Sequence, residues 1–199
     1  MRQARDATGS TSRWRTSSES GAWTRGLLVF LVLLVAETAT AAERLTQTEA
    51  LQLVFPGAKL ERKEHFLTEE QRQKIQDLAK VEMKSRYVVS YEARQGTELL
   101  GVAFFDTHVV RTQQETAMIA ISPKGTILRV EVIRFQEPEE YAAPERWKDQ
   151  LKGQSLSPKL SLKADIKPLS GASLTAQALV DASRRALAEF EVLGPKAPP

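Results

Sequence analysis

The spacing of apolar and polar residues predicts two helices early in the chain. Residues 48–55 have a short helical pattern, which a Pro-Gly pair ends. A second helix begins after Thr68, because Thr68 and Gln71 have the spacing of a capping box and two glutamates follow the cap. The charged stretch between the two helices, which includes His65, predicts a linker. Residues 46–84 are therefore predicted to form a helical N-terminal part.

From residue 86 onward the apolar pattern changes from helical spacing to the alternation of strands. The predicted strands are, in order, 87–91, 99–105, 107–111 (a continuation of the previous strand or a separate one), 116–121 and 126–135. Gly101 marks a predicted bulge. The last two strands are joined by Ser-Pro-Lys-Gly at 122–125, which fits a type I turn and predicts a hairpin. Short sequential strands after helices predict an α+β fold, with an antiparallel sheet of four to five strands over residues 86–135 flanked by helices.

A long amphipathic helix is predicted near the C-terminus. Its apolar side is interrupted only by Ser183 and consists of Ala176, Leu179, Val180, Ala186, Leu187 and Phe190. Arg184, Arg185 and Glu189 fall outside this apolar side. The helix starts at the sequence Ser-Gly-Ala-Ser-Leu-Thr, which we call the 170–175 motif. The C-terminal elements are thus a short helix over 145–151, an irregular segment over 154–169, the motif with its helix over 170–191, and a disordered tail over 194–199.

The N-terminal region has the pattern of a targeting segment. An arginine-containing polar leader precedes an apolar run at 27–36, and Ala39 and Ala41 form an Ala-x-Ala cleavage site. We predict a signal peptide over residues 1–41, and the alternative is an uncleaved membrane anchor over the same residues. The apolar run is about half of the roughly 20 residues that a spanning helix needs, which favours export. The predicted protein is exported, to the periplasm or the outer face of the cytoplasmic membrane, with one domain over 42–193.

Composition excludes several classes of function. The net charge is +3, from 28 basic and 25 acidic residues, but five of the basic and three of the acidic ones lie in residues 1–41. The remainder is close to neutral, so we expect no nucleic-acid partner. The chain has no cysteine, which excludes disulfides and thiolate chemistry.

The remaining candidate catalytic and metal-binding residues give weak signals. The two histidines are far apart and lack metal-ligand spacing, so no metal site is predicted. Ser173, His108 and Asp106 could be combined into a hydrolase triad, but nothing in their spacing supports it. An acidic cluster follows the last strand and predicts a solvated turn; its members are Glu137, Glu139 and Glu140.

The 170–175 motif brings small polar residues to the start of a helix. Unpaired N–H groups and the positive end of the helix dipole can hold an anion there. From the residues alone, two interpretations stay open. The motif binds an anion such as a phosphate, or Ser170 or Ser173 is the N-cap and Gly171 provides the turn. Basic residues in the preceding loop weakly favour the anion; they are Lys159, Lys163 and Lys167.

The motif resembles the flavin-attachment motif of the FMN-binding domain family. That family includes flavin-carrying components of the Rnf complex and of the sodium-pumping NADH:quinone reductase, and its motif reads Asp-x-x-Ser/Thr-Gly-Ala-Thr-x-Ser/Thr. Two further stretches are similar to the family. The strand at 130–135 with Glu137-Pro138 resembles a strand that leads into Glu-Thr-Pro-Gly. Residues 147–153 resemble an aromatic–x–x–Gln–Phe–x–Gly helix. The resemblance runs from about residue 87 to 190.

The resemblance implies FMN as the cofactor. A flavin transferase would join the FMN phosphate to the position that Ser173 occupies, and the rest of the motif would surround the phosphate: Ser170, Gly171, Ala172, Leu174 and Thr175. The flavin ring would need an aromatic wall, for which Phe135, Tyr141 and Trp147 are candidates. The implied function is an electron carrier that works with redox partner proteins of a membrane complex, rather than a stand-alone enzyme.

Two positions depart from the family motif. Ser173 replaces a threonine, and Lys167 replaces an aspartate, although Asp165 lies two residues earlier. The sequence therefore leaves open whether FMN is bound covalently or non-covalently. The alternative function is an exported α+β binding or scaffold module of the same fold that has lost covalent flavin.

Overall fold

The computed structural model of the protein describes residues 44–195. The predicted signal peptide or anchor over 1–41 and most of the predicted tail lie outside the described residues. The helices are α1 (Gln47–Val54), α2 (Glu69–Ala79), α3 (Glu145–Lys148) and α4 (Ser173–Leu193). The strands are β1 (Lys59–Phe66), β2 (Tyr87–Gln95), β3 (Glu98–Val109), β4 (Gln114–Ile121) and β5 (Ile127–Phe135). Short 3₁₀ helices cover Glu139–Tyr141 and Asp149–Leu151.

The five strands form one antiparallel sheet in the order β1-β2-β3-β4-β5. This confirms the predicted α+β fold and its C-terminal helix. Residues 107–109 continue β3 rather than starting a new strand. The predicted hairpin joins β4 to β5, and its turn is closed by the Gly125 N–H donating to the Ser122 carbonyl at 2.9 Å.

Strand β1 corrects the prediction of a charged linker within a helical part over 46–84. It pairs with β2 from Lys59 opposite Arg94 to Phe66 opposite Tyr87. The His65 ring nitrogen Nε2 lies 3.0 Å from the Ser90 hydroxyl. Because β1 is an edge strand with most of its residues exposed, it lacks a regular apolar alternation. Its charged residues protect the sheet edge from pairing with other chains.

Both N-terminal helices start with a complete capping box. In α2 the Thr68 hydroxyl accepts from the Gln71 N–H at 3.2 Å, and the Gln71 side chain accepts from the Thr68 N–H at 3.0 Å. The pair Thr46 and Glu49 does the same for α1. The predicted start of α2 is therefore confirmed, with its acidic first turn at the positive end of the dipole.

The sheet has one apolar core on each face. Helices α2 and α4 pack on one face, against residues such as Val102, Ile119 and Val132. Helix α1 packs on the other face, against Ala103 and Met118 among others. Each fully buried Ile or Val contributes about 1.5–3 kcal/mol to this packing. Within the described range, 44–195, no helix is long and apolar enough to cross a membrane.

Gly101 lies at a bulge, as predicted, and also at a close contact. The β2–β3 register shifts between Ala93 and Arg94, opposite Gly101 and Leu99. A Cβ atom on Gly101 would lie 2.6 Å from the Ile121 carbonyl oxygen and 2.8 Å from the Phe55 ring. Only glycine therefore lets α1 approach the sheet at this point.

Candidate functional site

Helix α4 begins within the 170–175 motif, but no serine caps it. The N-cap is Ala172, with φ −132° and ψ 42°, and no side chain accepts a hydrogen bond from the first turn. The prediction that Ser170 or Ser173 is the N-cap is therefore wrong. Ser170 and Ser173 are both exposed. Gly171 has φ +82°, a left-handed conformation that glycine adopts at little cost and that turns the chain into the helix.

The first turn of α4 has backbone N–H groups without partners. The first intrahelical bond runs from the Ala176 N–H to the Ala172 carbonyl at 3.0 Å. The N–H groups of residues 173–175 precede this bond and have no acceptor in the described part of the chain. They point out of the positive end of a helix of 21 residues. This geometry suits an anion such as a phosphate.

Thr175 has a structural role instead of the ligand role predicted for its hydroxyl. The side chain is buried, with 1% exposure. Its hydroxyl donates to the Tyr141 carbonyl at 2.6 Å, which fixes the start of α4 to the segment after β5. Only the Thr175 backbone N–H remains available to an anion. Leu174, in contrast, is 53% exposed, and Ala172 is buried.

Trp147 and Gln150 hold the backbone just before the motif. The Trp147 indole N–H donates to the Lys167 carbonyl at 2.8 Å, and the Gln150 side-chain oxygen accepts from the Lys167 N–H at 2.9 Å. Trp147 is only 5% exposed. It therefore positions the motif and is not a free wall for a flavin ring, which corrects that expectation. Trp147 and Gln150, which hold Lys167, both belong to the 147–153 stretch that resembles a helix of the FMN-binding domain family.

Glu137 corrects the prediction of a solvated acidic turn. Its carboxylate accepts from the backbone N–H groups of Arg111 at 3.1 Å, Thr112 at 2.7 Å and Gln113 at 2.8 Å. The hydrogen bonds from Thr112 and Gln113 hold the pKa of the Glu137 carboxyl below its ordinary value. Glu137 thus fixes the tip of the β3–β4 hairpin to the end of β5.

The hairpin tip places a cation beside the motif. The Arg111 guanidinium lies 4.7 Å from the centroid of the Tyr141 ring, a cation–π distance. Because the Tyr141 carbonyl accepts from Thr175, both residues belong to the neighbourhood of the α4 N-terminus. Of the three predicted aromatic candidates, only Tyr141 has a direct hydrogen bond to the motif. Sequence reasoning missed Arg111, because it lies about 60 residues before the motif and only the Glu137 contact reveals its position.

Phe135 is partly buried and contacts Arg44, whose guanidinium lies 5.3 Å from the ring centroid. Arg44 also donates to the Glu139 carboxylate at 2.7 Å. Phe135 is therefore covered on one side of its ring by Arg44.

His108 cannot serve a hydrolase triad with Ser173. Its Nδ1 lies 2.8 Å from the Asp106 carboxylate and its Nε2 lies 2.9 Å from the Glu115 carboxylate. Burial lowers the pKa of His108, but the hydrogen bonds to Asp106 and Glu115 outweigh burial and raise it to about 9. The ring is therefore a cation at neutral pH, with both nitrogens bound to carboxylates and neither free to act as a base for a serine.

The 170–175 motif fits the phosphate of FMN. Three unpaired backbone donors, an exposed hydroxyl on Ser173 and a glycine turn lie together at the positive end of α4. Leu174, exposed beside them, adds an apolar surface. Helix N-termini of this kind bind phosphate groups through the backbone.

Residues 113–188 match the model of the FMN-binding domain family. The matched stretch contains β4, β5, α3, the whole 170–175 motif and most of α4. No curated protein matches the chain. The family match confirms the resemblance predicted from the motif, and with it FMN as the cofactor.

Proposed function

Because residues 113–188 are an FMN-binding domain, we propose that this flavin-binding protein is an exported electron carrier that holds the FMN phosphate on Ser173. The observation that supports the attachment is that the Ser173 hydroxyl is exposed and has no hydrogen-bond partner in the described part of the chain. This hydroxyl lies in the first turn of α4 and has no capping role there. A hydroxyl without a structural partner at a phosphate-binding helix start is available for a phosphoester bond.

The residues around Ser173 would bind and orient the phosphate. The N–H groups of residues 173–175 donate to its oxygens, and Gly171 keeps the turn open. The hydrogen bond from Trp147 to the Lys167 carbonyl fixes the chain before this turn, and the one from Thr175 to the Tyr141 carbonyl fixes the chain after it. FMN supplies the electron-transfer chemistry when it is bound.

Attachment requires an activated donor, because a phosphate monoester does not condense with a hydroxyl in water without one. In the proposed step, the Ser173 Oγ–P bond forms and a phosphoanhydride bond of the FMN donor breaks. The serine proton passes to a base of the flavin transferase, and the other half of the anhydride leaves with the electron pair. The exposure of Ser173 gives the transferase access to the hydroxyl.

Tyr141 and Arg111 are the proposed contacts of the flavin ring. Tyr141 offers an aromatic surface next to the motif, and the Arg111 guanidinium adds a positive charge over that surface. A positive charge near a flavin stabilises its reduced, anionic form relative to the oxidised form. Arg111 would therefore raise the reduction potential of the bound cofactor.

The export and partner proposals depend on the leader and on the resemblance. Residues 1–41 have the pattern of a signal peptide, which supports a role on the periplasmic side. The chain has no cysteine and thus no thiol or iron–sulfur redox group of its own. Redox partner proteins would therefore supply and accept the electrons, and the resemblance favours partners in a membrane complex.

The test is to purify the exported protein after co-expression with a flavin transferase and to look for flavin fluorescence on a denaturing gel. We expect a yellow protein and a fluorescent band. Ser173→Ala should abolish the band, and the matched variant Ser170→Ala should keep it, because Ser170 lies before the helix. A yellow protein whose band on the denaturing gel does not fluoresce would mean that FMN is bound non-covalently and that Ser173 is not its attachment site. A colourless protein would contradict it and favour the binding or scaffold module.

A further inference from the structure

Strands β2 and β3 separate at one end of the sheet. Their pairing runs from Gln95 opposite Glu98 to Ser90 opposite Phe104 and stops there. Residues 87–89 of β2 remain paired with β1, and the end of β3 remains paired with β4. In the described part of the chain, no ladder bond closes the space between them. The sheet is therefore split at this end.

The split contains a cavity of about 720 Å³. Side chains alternate between the two faces of a strand. Residues that point to both faces line this cavity, so the cavity passes through the sheet. Tyr91 and Phe105 line it from the α1 face, and Asp106 and His108 line it from the α4 face. Its volume lies within the range of about 300–1,000 Å³ that is usual for small-molecule sites.

One side of the cavity is aromatic and its rim is apolar. The Tyr91 and Phe105 rings meet edge to face, with centroids 5.5 Å apart. At the rim, Tyr87 is 40% exposed and Val109 is 59% exposed, and Phe66 packs its ring 5.1 Å from that of Tyr87. These three are among only five large apolar residues that are exposed in the described range. Such a concentration of exposed apolar side chains is typical of a binding site.

The opposite side of the cavity carries basic side chains, of which Arg185 has a donor to spare. Arg185 binds the Asp106 carboxylate through Nε at 2.6 Å and Nη2 at 2.8 Å. Its Nη1 has no acceptor among residues 44–195. Lys84 also lines the cavity. Asp106 and Glu115 offset the charges of Arg185 and protonated His108, and Glu82 on the lining offsets Lys84, so what the cavity offers to an anion is the unused Nη1 donor of Arg185. Burial, with the Asp106 charge, raises the pKa of Glu189 to about 8, so its carboxyl is mostly neutral at pH 7.

We propose that this cavity is a second ligand site, separate from the FMN site, and that it binds an aromatic anion. The aromatic body would lie against Tyr91 and Phe105, and the anionic group would accept from Arg185. No residue of the 170–175 motif lines the cavity. Ser173 and Arg185 are twelve positions apart on α4, which is about 18 Å at roughly 1.5 Å per residue.

The test measures binding of 8-anilinonaphthalene-1-sulfonate, an aromatic anion whose fluorescence rises on binding, to the full chain. Its neutral analogue N-phenyl-1-naphthylamine has the same aromatic body without the sulfonate. We expect one saturable site that binds the sulfonate at least tenfold more tightly than the analogue. Equal affinities, or binding that does not saturate, would overturn the proposal.

A matched pair of variants locates the site. Val109→Trp should obstruct the rim and weaken sulfonate binding at least tenfold. Leu53→Trp places the same side chain at a position of similar exposure on α1, away from the cavity, and should change nothing. Equal effects of the two variants would contradict the assignment.

Comparison of flavin-loaded and flavin-free protein separates this site from the FMN site. We expect the same affinity for the sulfonate in both forms and in Ser173→Ala. Loss of binding upon flavin loading would assign the cavity to the flavin and overturn the proposal of a second site, while leaving the attachment at Ser173 intact.

Discussion

The two halves of α4 use their polar groups in opposite ways. At the N-terminal end, the Ser173 hydroxyl and the first N–H groups are exposed or unpaired. In the C-terminal half, Arg184, Arg185 and Glu189 are buried or nearly so. There the two arginines bond to specific acceptors of the fold. Polar groups that already have protein partners serve the fold, so the unpartnered groups at the N-terminal end are the ones available to a cofactor.

Arg184 illustrates the structural half of this comparison. Its guanidinium donates to the carbonyls of Ala79 at 2.6 Å, Ser157 at 2.7 Å and Leu160 at 3.1 Å. These bonds tie α2 and the irregular 154–169 segment to α4. A charged residue outside the apolar side of the helix is thus one of the contacts that hold the domain together.

The largest effect should come from breaking the largely buried ion pair between Asp106 and Arg185 of the C-terminal half. Asp106→Ala leaves Arg185 and His108 without their shared carboxylate, and removal of one partner of a buried pair costs about 3–5 kcal/mol. Urea denaturation measures this loss. The control is Glu139→Ala, which breaks the exposed pair with Arg44 and should cost no more than about 1 kcal/mol. Equal losses would contradict the structural role of the buried pair.

The buried groups around His108 should make stability fall at alkaline pH. The folded-state pKa of His108 is about 9, above its ordinary value of 6.5, so its contribution is complete below pH 6.5 and is lost as the pH rises through 9. The full shift corresponds to about 3 kcal/mol. The charged and titratable groups nearby are Asp106, Glu115, Arg185 and Glu189.

Glu189 adds to this trend at lower pH. Its pKa is about 8 in the folded protein and 4.5 ordinarily. As the pH rises, the Glu189 carboxyl therefore ionises in the unfolded chain before it does so in the folded protein, and the free energy of unfolding falls between pH 4.5 and 8. Urea midpoints between pH 6.5 and 9 should therefore decline in the unmodified protein and decline less in His108→Gln. Equal slopes in the two proteins would show that His108 does not titrate in this way.

A smaller effect should distinguish two hydroxyls within the motif. Thr175→Val removes the donor to the partly buried Tyr141 carbonyl while keeping the shape of the side chain, and the loss of this hydrogen bond should cost about 1–3 kcal/mol. Ser173→Ala removes an exposed hydroxyl without a partner and should change stability by no more than about 0.5 kcal/mol. Thermal unfolding of the flavin-free variants checks this. A larger loss for Ser173→Ala would mean that its hydroxyl has a structural role.

The parts of the fold that follow from local chemistry could be predicted from the sequence. The capping box of Thr68 and Gln71 and the turn at 122–125 are set by residues a few positions apart. The 170–175 motif is a local signal of the same kind, because a glycine turn next to small polar residues at a helix start predicts an anion site, and that site stays a prediction.

The parts that depend on distant partners could not be predicted. Strand β1 has mostly charged residues, and only its pairing with β2 makes it a strand. The N-cap of α4 is Ala172 rather than a serine. The hydrogen bond from Thr175 to Tyr141 and the one from Trp147 to Lys167 set the path of the turn before the helix. The bond between Arg185 and Asp106 joins residues 79 positions apart, so no local pattern reports it.

The mass of the peptide that contains Ser173 tests the attachment of FMN to this residue. The exported protein is purified after co-expression with a flavin transferase, digested and analysed by fragmentation mass spectrometry. If Ser173 carries the flavin, one peptide is heavier by FMN less one water, with the added mass on Ser173. An unmodified Ser173 peptide from a fluorescent protein, or the added mass on another residue, would contradict it.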